Sequence, residues 1–296
     1  MKTIFITGAT AGIGLVAAAE LAARGNTIIA TARTAERGNE LRTYYQQHYP
    51  DAEGTIEIVL CDLLSFDSIA NACNQVRANH DGIDVLINNA GLWNFSYRES
   101  QDHNEQTLQV NVLAPLLINH LLLDLLVRSP NAKSIFAASA LHQGNVDFTD
   151  LEFKNHFNGF NAYRQSKLEI ILLTRLLSKK LAAVKVGVYC EHPGLVNTEL
   201  GRNANWVSNL IFRVMGISPE NGAKTLIYLA DEKKDHLTSG EYYYKQAVKQ
   251  ITPQSNDLGV AQKLLTVLNG YLTKYVGSTS LILTNEETVL LSEVQQ

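Results

Sequence analysis

Between residues 3 and 190, short β-branched apolar runs alternate with longer stretches of helical period, and this alternation leaves few folds open to the chain. Residues 3–7, 27–32, 55–60, 85–88, 134–138 and 185–190 read as strands. Residues 13–24, 35–48, 65–79, 104–127 and 161–183 read as the helices between them. Each helix returns the chain to the same end of the sheet, so the strands run parallel. The strand runs are almost continuously apolar, as strands covered on both faces must be. After Gly194 the pattern loosens. Residues 195–217 are mixed, 219–230 are helical, 240–244 form a further strand, 257–272 a last helix, and 273–296 have no clear period. The expected architecture is α/β: one doubly wound domain over residues 1–296, with a mostly parallel seven-stranded sheet and helices on both faces.

With 46% hydrophobic and 18% charged residues among 296, the chain can bury a sizeable core. A net charge of -4 without a basic stripe argues against a nucleic-acid partner. Cys61, Cys73 and Cys190 are scattered and odd in number, which predicts buried thiols rather than a disulfide framework or a metal site. No window approaches the roughly 20 apolar residues of a membrane-spanning helix. The densest, 116–127, is interrupted by Asn119, His120 and Asp124, and the apolar run 4–6 is too short for a secretory signal. The expectation is a cytoplasmic protein without a transmembrane segment.

Thr7-Gly8-Ala9-Thr10-Ala11-Gly12-Ile13-Gly14 follows the first strand and opens the first helix. Pyrophosphate needs backbone N–H groups at close range and the positive end of a helix dipole. Gly8 permits the tight turn, while Gly12 and Gly14 remove Cβ atoms that would block the phosphates or the helix–strand contact. A glycine-rich turn is a weak signal alone, but its strand–turn–helix context is the one a Rossmann-type dinucleotide site requires. The second strand ends at Thr31-Ala32-Arg33-Thr34. Dinucleotide sites that bind the ribose 2′-hydroxyl carry a carboxylate near this place; here Arg33 stands instead, and a guanidinium can grip a 2′-phosphate. NADP(H) is therefore expected over NAD(H), against the plainer reading of Arg33 as a solvated surface residue.

Tyr163 and Lys167 stand at i and i+4 in Tyr-Arg-Gln-Ser-Lys, on one face of a helix. A neighbouring ammonium favours the phenolate, so the pair can give a proton to a developing alkoxide or take one from an alcohol. Such a pair is common by chance, and its place gives it weight. It follows the strand that ends before Ser139, at the carboxyl edge where ligands bind, and the Ser139 hydroxyl can hold a substrate oxygen. Asn111 lies in a helix just before Pro115, whose missing N–H disturbs the ladder near residue 111; a structural asparagine and a functional one are equally compatible with that position.

Together these motifs resemble the short-chain dehydrogenase/reductase family over roughly residues 3–272. The G-x-x-x-G-x-G turn, Asn88-Asn89-Ala90-Gly91, the Tyr-x-x-x-Lys pair and His192-Pro193-Gly194 carry the likeness. Within it, Ser139-Ala-Leu-His142 and the 219–230 and 239–244 stretches look like the retinol-dehydrogenase-like and WW-domain-oxidoreductase-like branch. The resemblance implies a catalytic tetrad of Asn111, Ser139, Tyr163 and Lys167. It implies a cofactor site that takes in Gly8, Thr10, Gly12, Ile13, Gly14, Arg33, Asp62, Leu63, Asn89, Ala90, Gly91, Pro193, Gly194, Val196 and Thr198 besides the tyrosine and lysine. Asp62 would contact the adenine amine, Asn89-Ala90-Gly91 the ribose, and Thr198 the carboxamide. The implied activity is hydride transfer between nicotinamide and a carbonyl/alcohol pair, in a homodimer or homotetramer.

Residues 195–217 would then form a substrate lid, and residues 273–296 a carboxyl-terminal extension. Leu200, Trp206, Leu210, Ile211 and Phe212 make the lid apolar, which points to a hydrophobic carbonyl or alcohol; a helix docked on the core is the plain alternative. Trp93 is a further candidate for the pocket wall, and His142 and His192 are expected to be structural. The amino-terminal membrane anchor of many retinol dehydrogenases is not expected here, and Ala138 replaces a serine frequent in the branch. A cofactor sensor without turnover would be expected to lose Tyr163 or Lys167, and nucleotide-sugar epimerases favour a different glycine spacing and a larger carboxyl-terminal domain.

Overall fold

β1 (Thr3–Ile6) runs up the centre of the sheet and hands the chain directly to α1 (Gly12–Ala23). The computed structural model describes residues 1–194 and 218–276. β2 (Thr27–Ala32), α2 (Ala35–His48), β3 (Thr55–Leu60), α3 (Phe66–Asn79) and β4 (Val85–Asn88) follow in strict alternation. Helix starts are set by local chemistry: Thr34 accepts a hydrogen bond from the Arg37 backbone N–H, and Ser65 accepts from Ser68. Beyond the next helical region come β5 (Lys133–Ala137), α7 (Gly159–Lys180), β6 (Gly187–Glu191), α8 (Pro219–Asp231), β7 (Tyr242–Tyr244), β8 (Ala247–Val248) and α9 (Leu258–Val276).

The strand order is β3-β2-β1-β4-β5-β6-β7-β8, parallel throughout except for β8. The order reverses between β1 and β4, and such a switch point opens a crevice at the carboxyl ends of the strands. Two apolar clusters cover the faces. One brings α3, α5 (Ala114–Leu121), α7 and α9 onto the sheet; the other brings α1, α2 and α8. Cys61, Cys73 and Cys190 are buried and free, and burial pushes the Cys61 and Cys190 thiols up to about 12.

Three features differ from the sequence expectation. Among the described residues the sheet has eight strands rather than seven, because Tyr244 pairs with Ala247 across a two-residue turn. Lys245 and Gln246 take φ of 51° and 63° there, a conformation that Asn-Gly would have announced and Lys-Gln does not. The expected helix 104–127 is broken into α4 (Gln106–Leu108), a π-helical turn (Gln109–Leu113), α5 (Ala114–Leu121) and α6 (Leu123–Leu126). Pro115 has no N–H to give the Asn111 carbonyl, and the π turn absorbs that mismatch. Finally, α9 runs on to Val276, so residues 273–276 belong to a helix whose Leu272 and Val276 are buried. Residues 277–296 and the expected lid at 195–217 lie outside the described residues.

Candidate active site

The turn after β1 is built on two close approaches. Gly8 has a φ of +67°, and a Cβ there would meet the Ala90 Cα at 2.8 Å. A Cβ on Gly14 would lie 2.1 Å from the Gly8 carbonyl oxygen. Asn89 ties this turn to the one after β4: its Nδ2 donates to the carbonyls of Thr7 (3.0 Å) and Gly8 (3.2 Å). Thr7 Oγ1 in turn accepts from the Ala90 N–H at 3.1 Å. The α1 amino terminus faces this junction with Ala11 at its cap. No side chain caps it, and no acidic residue stands in its first turn. Its free N–H groups and dipole suit an anionic phosphate.

A cleft of about 520 Å³ runs past this junction. It begins at Arg33, Arg37, Asp62 and Leu63, passes Gly8, Thr10, Gly12, Ile13 and Gly14, and reaches Asn89, Ala90 and Gly91. It ends at Tyr163, Lys167 and Pro193. The donor set fits a dinucleotide phosphate, with cations at one end, an uncapped helix terminus in the middle and the tyrosine–lysine pair at the other end. Asp62 Oδ1 accepts from the Leu64 N–H at 3.0 Å, and Ser65, not Asp62, caps α3. Arg37 was not anticipated from sequence. It sits in the first turn of α2 and pairs with Glu40 at 2.8 Å; its spacing from Arg33 along the start of a helix was the available signal.

Tyr163 and Lys167 lie on α7 and are both buried. Burial pushes the Tyr163 phenol up to about 12, and its bond with Ser139 works against that. The phenol is therefore held in its acid form near neutral pH. Lys167 Nζ lies 5.6 Å from the Tyr163 ring centroid and donates to the Ala137 carbonyl at 2.7 Å. Burial lowers the lysine to about 8, with Glu191 pulling it back up. Ser139 follows β5, and its Oγ accepts from the Leu141 N–H at 3.1 Å. Trp93 stacks on Tyr163 at 4.5 Å and on Phe95 at 5.4 Å, which lays an apolar wall along the tyrosine.

Asn111 stands in the π turn behind this pair. Its Oδ1 accepts from the Leu92 N–H (2.7 Å), and its Nδ2 donates to the Leu92 carbonyl (2.9 Å) and to Ser166 Oγ (2.9 Å). Both N–H groups of the amide are thus committed to holding the β4 loop against α7. His142 Nδ1 bonds the Ser139 carbonyl at 2.7 Å. His192 Nδ1 accepts from the Gly194 N–H at 3.3 Å, and the His192 ring stacks on Tyr244. Burial lowers His192 to about 4, so it braces the Pro193-Gly194 turn as a neutral ring. Gly194 has a φ of +97°. Val196 and Thr198 lie outside the described residues.

Besides Arg37, a second residue went unnoticed in the sequence. Glu191 closes β6, directly before His192, and is wholly buried. A carboxylate ending an otherwise uncharged, fully buried strand was the signal that could have found it.

A family model described as short chain dehydrogenase matches residues 2–207. The chain belongs to the short-chain dehydrogenase family. Human retinol dehydrogenase 14 is 34% identical over 281 residues, covering 89% of this chain and 84% of that protein. Human retinol dehydrogenase 13 is 34% identical over 277 residues, covering 89% and 82%. Among solved structures, an uncharacterized protein from Mycobacterium paratuberculosis matches with a TM-score of 0.72 and 25% identity, over 92% of this chain and 93% of its own. The NADPH-bound carbonyl reductase from chicken fatty liver shares the fold at a TM-score of 0.60 and 24% identity, over 82% and 95%. This member of the family is thus an oxidoreductase of the nicotinamide-dependent kind, similar to retinol dehydrogenases over most of its length. No helix among the described residues is long and apolar enough to cross a membrane.

Proposed function

We propose that this chain is an NADP(H)-dependent oxidoreductase that moves a hydride between nicotinamide and a hydrophobic carbonyl/alcohol pair. The observation that carries the reading is the single cleft that joins Arg33 at one end to Tyr163 and Lys167 at the other, past the uncapped start of α1. Arg33, with Arg37 beside it, would bind a ribose 2′-phosphate; the α1 N–H groups would take the pyrophosphate; Asn89, Ala90 and Gly91 would border the sugar. A bound nicotinamide supplies or accepts the hydride.

What the chain itself does is hold and move a proton. Ser139 Oγ orients the substrate oxygen towards the Tyr163 phenol. The phenol, kept protonated by burial, gives its proton to that oxygen as negative charge develops on it. Lys167 places positive charge beside the phenolate so formed. Asn111 keeps α7 and the β4 loop in register, so that the pair stays fixed. Trp93 stacks on the tyrosine, and Phe95 and Phe160 pack against Trp93 in turn, an aromatic surface that favours an apolar substrate. Two similar proteins named for retinol support the alcohol/carbonyl class.

The test is NADPH consumption, followed by nicotinamide absorbance, against a panel of apolar aldehydes and ketones. Turnover with NADPH, weak turnover with NADH and none in Tyr163→Phe is the expected pattern. NADPH binding without turnover on any carbonyl would refute the reading.

A further inference from the structure

Ser139 is held at both ends. Its Oγ accepts from the Leu141 N–H at 3.1 Å, and its carbonyl accepts from His142 Nδ1 at 2.7 Å. A carbonyl oxygen can only accept, so His142 Nδ1 carries a proton. Burial holds His142 below the usual imidazole range, so the ring is neutral near pH 7 and its Nε2 is bare. Because the Ser139 Oγ takes the Leu141 N–H as an acceptor, its own O–H is left to give to the phenol or to a substrate oxygen. Residues 139–143 belong to no helix or strand, and Gln143 Nε2 adds one more bond, to the Ala140 carbonyl at 2.6 Å. The place of the hydroxyl thus depends on what fixes this loop.

His142 is itself fixed from outside the loop. Its ring meets the Tyr242 ring edge-on, with centroids 5.3 Å apart. Tyr242 and Tyr244 stand two residues apart on β7 and so share a face. The His192 ring stacks on both, at 6.5 and 5.0 Å. His142, His192 and Tyr242 are all buried. His192 Nδ1 accepts from the Gly194 N–H, so this second imidazole has the opposite tautomer, with its proton on Nε2. His142, Tyr242, His192 and Tyr244 therefore form one row of rings, from the loop after β5, over β7, to the turn after β6. β7 is paired with β6 through Cys190 and Glu191, so the row rests on the sheet and not on the loop. The row sets how the His142 ring is turned, and the tautomer gives that ring a donor aimed at Ser139.

We propose that His142 is a positioning residue for Ser139: it donates from Nδ1 to the serine carbonyl, and its contact with Tyr242 ties the place of the serine hydroxyl to β7. The catalytic meaning rests on the proposed oxidoreductase reading, in which Ser139 orients the substrate oxygen, whereas the bond itself belongs to the ligand-free protein. Without the donor, the backbone at residue 139 is free to turn and the hydroxyl leaves its place beside the phenol. A small displacement of an orienting group costs rate. Cofactor affinity should be spared, because the glycine turn and Arg33 lie on other strands.

Two replacements separate the donor from the ring. His142→Phe keeps a ring against Tyr242 and has no donor; His142→Asn loses the ring but places its amide nitrogen where histidine has Nδ1. In His142→Phe kcat should fall about tenfold to a hundredfold, with NADPH affinity, read by its fluorescence, within about twofold of wild type. His142→Asn should recover most of the lost rate. In a Ser139→Ala background, where the hydroxyl is already gone, adding His142→Phe should cost less than about twofold more, whereas a merely structural histidine would cost its full factor again. The tautomer is read directly in the ligand-free wild type by long-range proton–nitrogen-15 NMR, with the His142 signals identified by their loss in His142→Asn; a proton on Nδ1 is expected. Should His142→Phe fail to fold, His142→Gln, whose amide reaches only to the Nε2 position, takes its place. A proton on Nε2 overturns the proposal, as do losses that multiply in the double variant or an asparagine no better than phenylalanine. If Nδ1 carries the proton but the wild type turns over no carbonyl, the Ser139–His142 bond stands and the oxidoreductase reading is what fails.

Discussion

Gly14→Ala is the sharpest perturbation of the junction between the β1 and β4 turns, because the added atom has nowhere to go. Its Cβ would lie 2.1 Å from the Gly8 carbonyl oxygen and 2.4 Å from Asn89 Nδ2. To reach the 3.4 Å of ordinary contact, the carbonyl must retreat by about 1.3 Å. That movement breaks the Asn89 bonds to Thr7 and Gly8, which tie the two turns together. Overpacking of this kind costs about 1–3 kcal/mol, and each of the two lost hydrogen bonds about 1 kcal/mol, so a total of roughly 3–5 kcal/mol is expected. In a domain of this size that lowers Tm by roughly 5–10 °C. The α1 N–H groups shift with the turn, so NADPH affinity should fall at least about tenfold. The control is Gly25→Ala at the other end of the same helix. Gly25 has a φ of +81° but nothing within 4 Å of its would-be Cβ, so only backbone strain of about 1–2 kcal/mol is expected there, with normal NADPH binding. Circular-dichroism melts with and without NADPH decide the matter. A Gly14→Ala protein as stable as the wild type, binding NADPH with unchanged affinity, would refute the reasoning.

Tyr163→Phe removes the proton donor and leaves the ring stack with Trp93; kcat should fall about 10²–10⁴-fold while NADPH binding, read by its fluorescence, stays within about twofold. Arg33→Ala should lower kcat/KM for NADPH about tenfold or more and leave NADH nearly unaffected, since an exposed guanidinium lost to a 2′-phosphate is worth a modest charge-assisted bond; equal losses with both cofactors would remove Arg33 from the site. Glu169, fully buried on α7, is pushed up to about 8 by its burial. The native state then keeps a proton that the unfolded chain releases from about pH 4.5 upward, so stability is full below that pH and declines as pH rises towards 8. Glu169→Gln should flatten this decline, seen as a higher Tm than wild type near pH 8 and little difference near pH 5; parallel pH profiles for the two proteins would count against it.

The candidate site was legible to the extent that its chemistry sits in contiguous motifs. The glycine turn, Asn89-Ala90-Gly91, Arg33 and the Tyr163–Lys167 pair are local patterns, and the structure draws them onto one cleft. What local pattern could not supply is what each polar group bonds to. The Asn111 amide is spent on Leu92 and Ser166, and Asn89 clamps the glycine turn, because loops distant in sequence approach at the switch point of the sheet. Arg37 joins the cleft from the first turn of α2, where its backbone N–H donates to the Thr34 cap. β8 stayed hidden because Lys245 and Gln246 adopt positive φ under the pull of strand pairing rather than by their own preference.

By itself the sequence determined most of the order of strands and helices, the parallel sheet they must form, and the glycine-rich turn between β1 and α1. These follow from periodicity and from the few residues that tolerate close backbone approach, which act over neighbouring positions. The tertiary structure alone decided the state of the buried charges. Whether Lys167, Glu191 and Tyr163 hold their protons depends on how much water each loses and which charge faces it, and those are properties of elements brought together across the sheet.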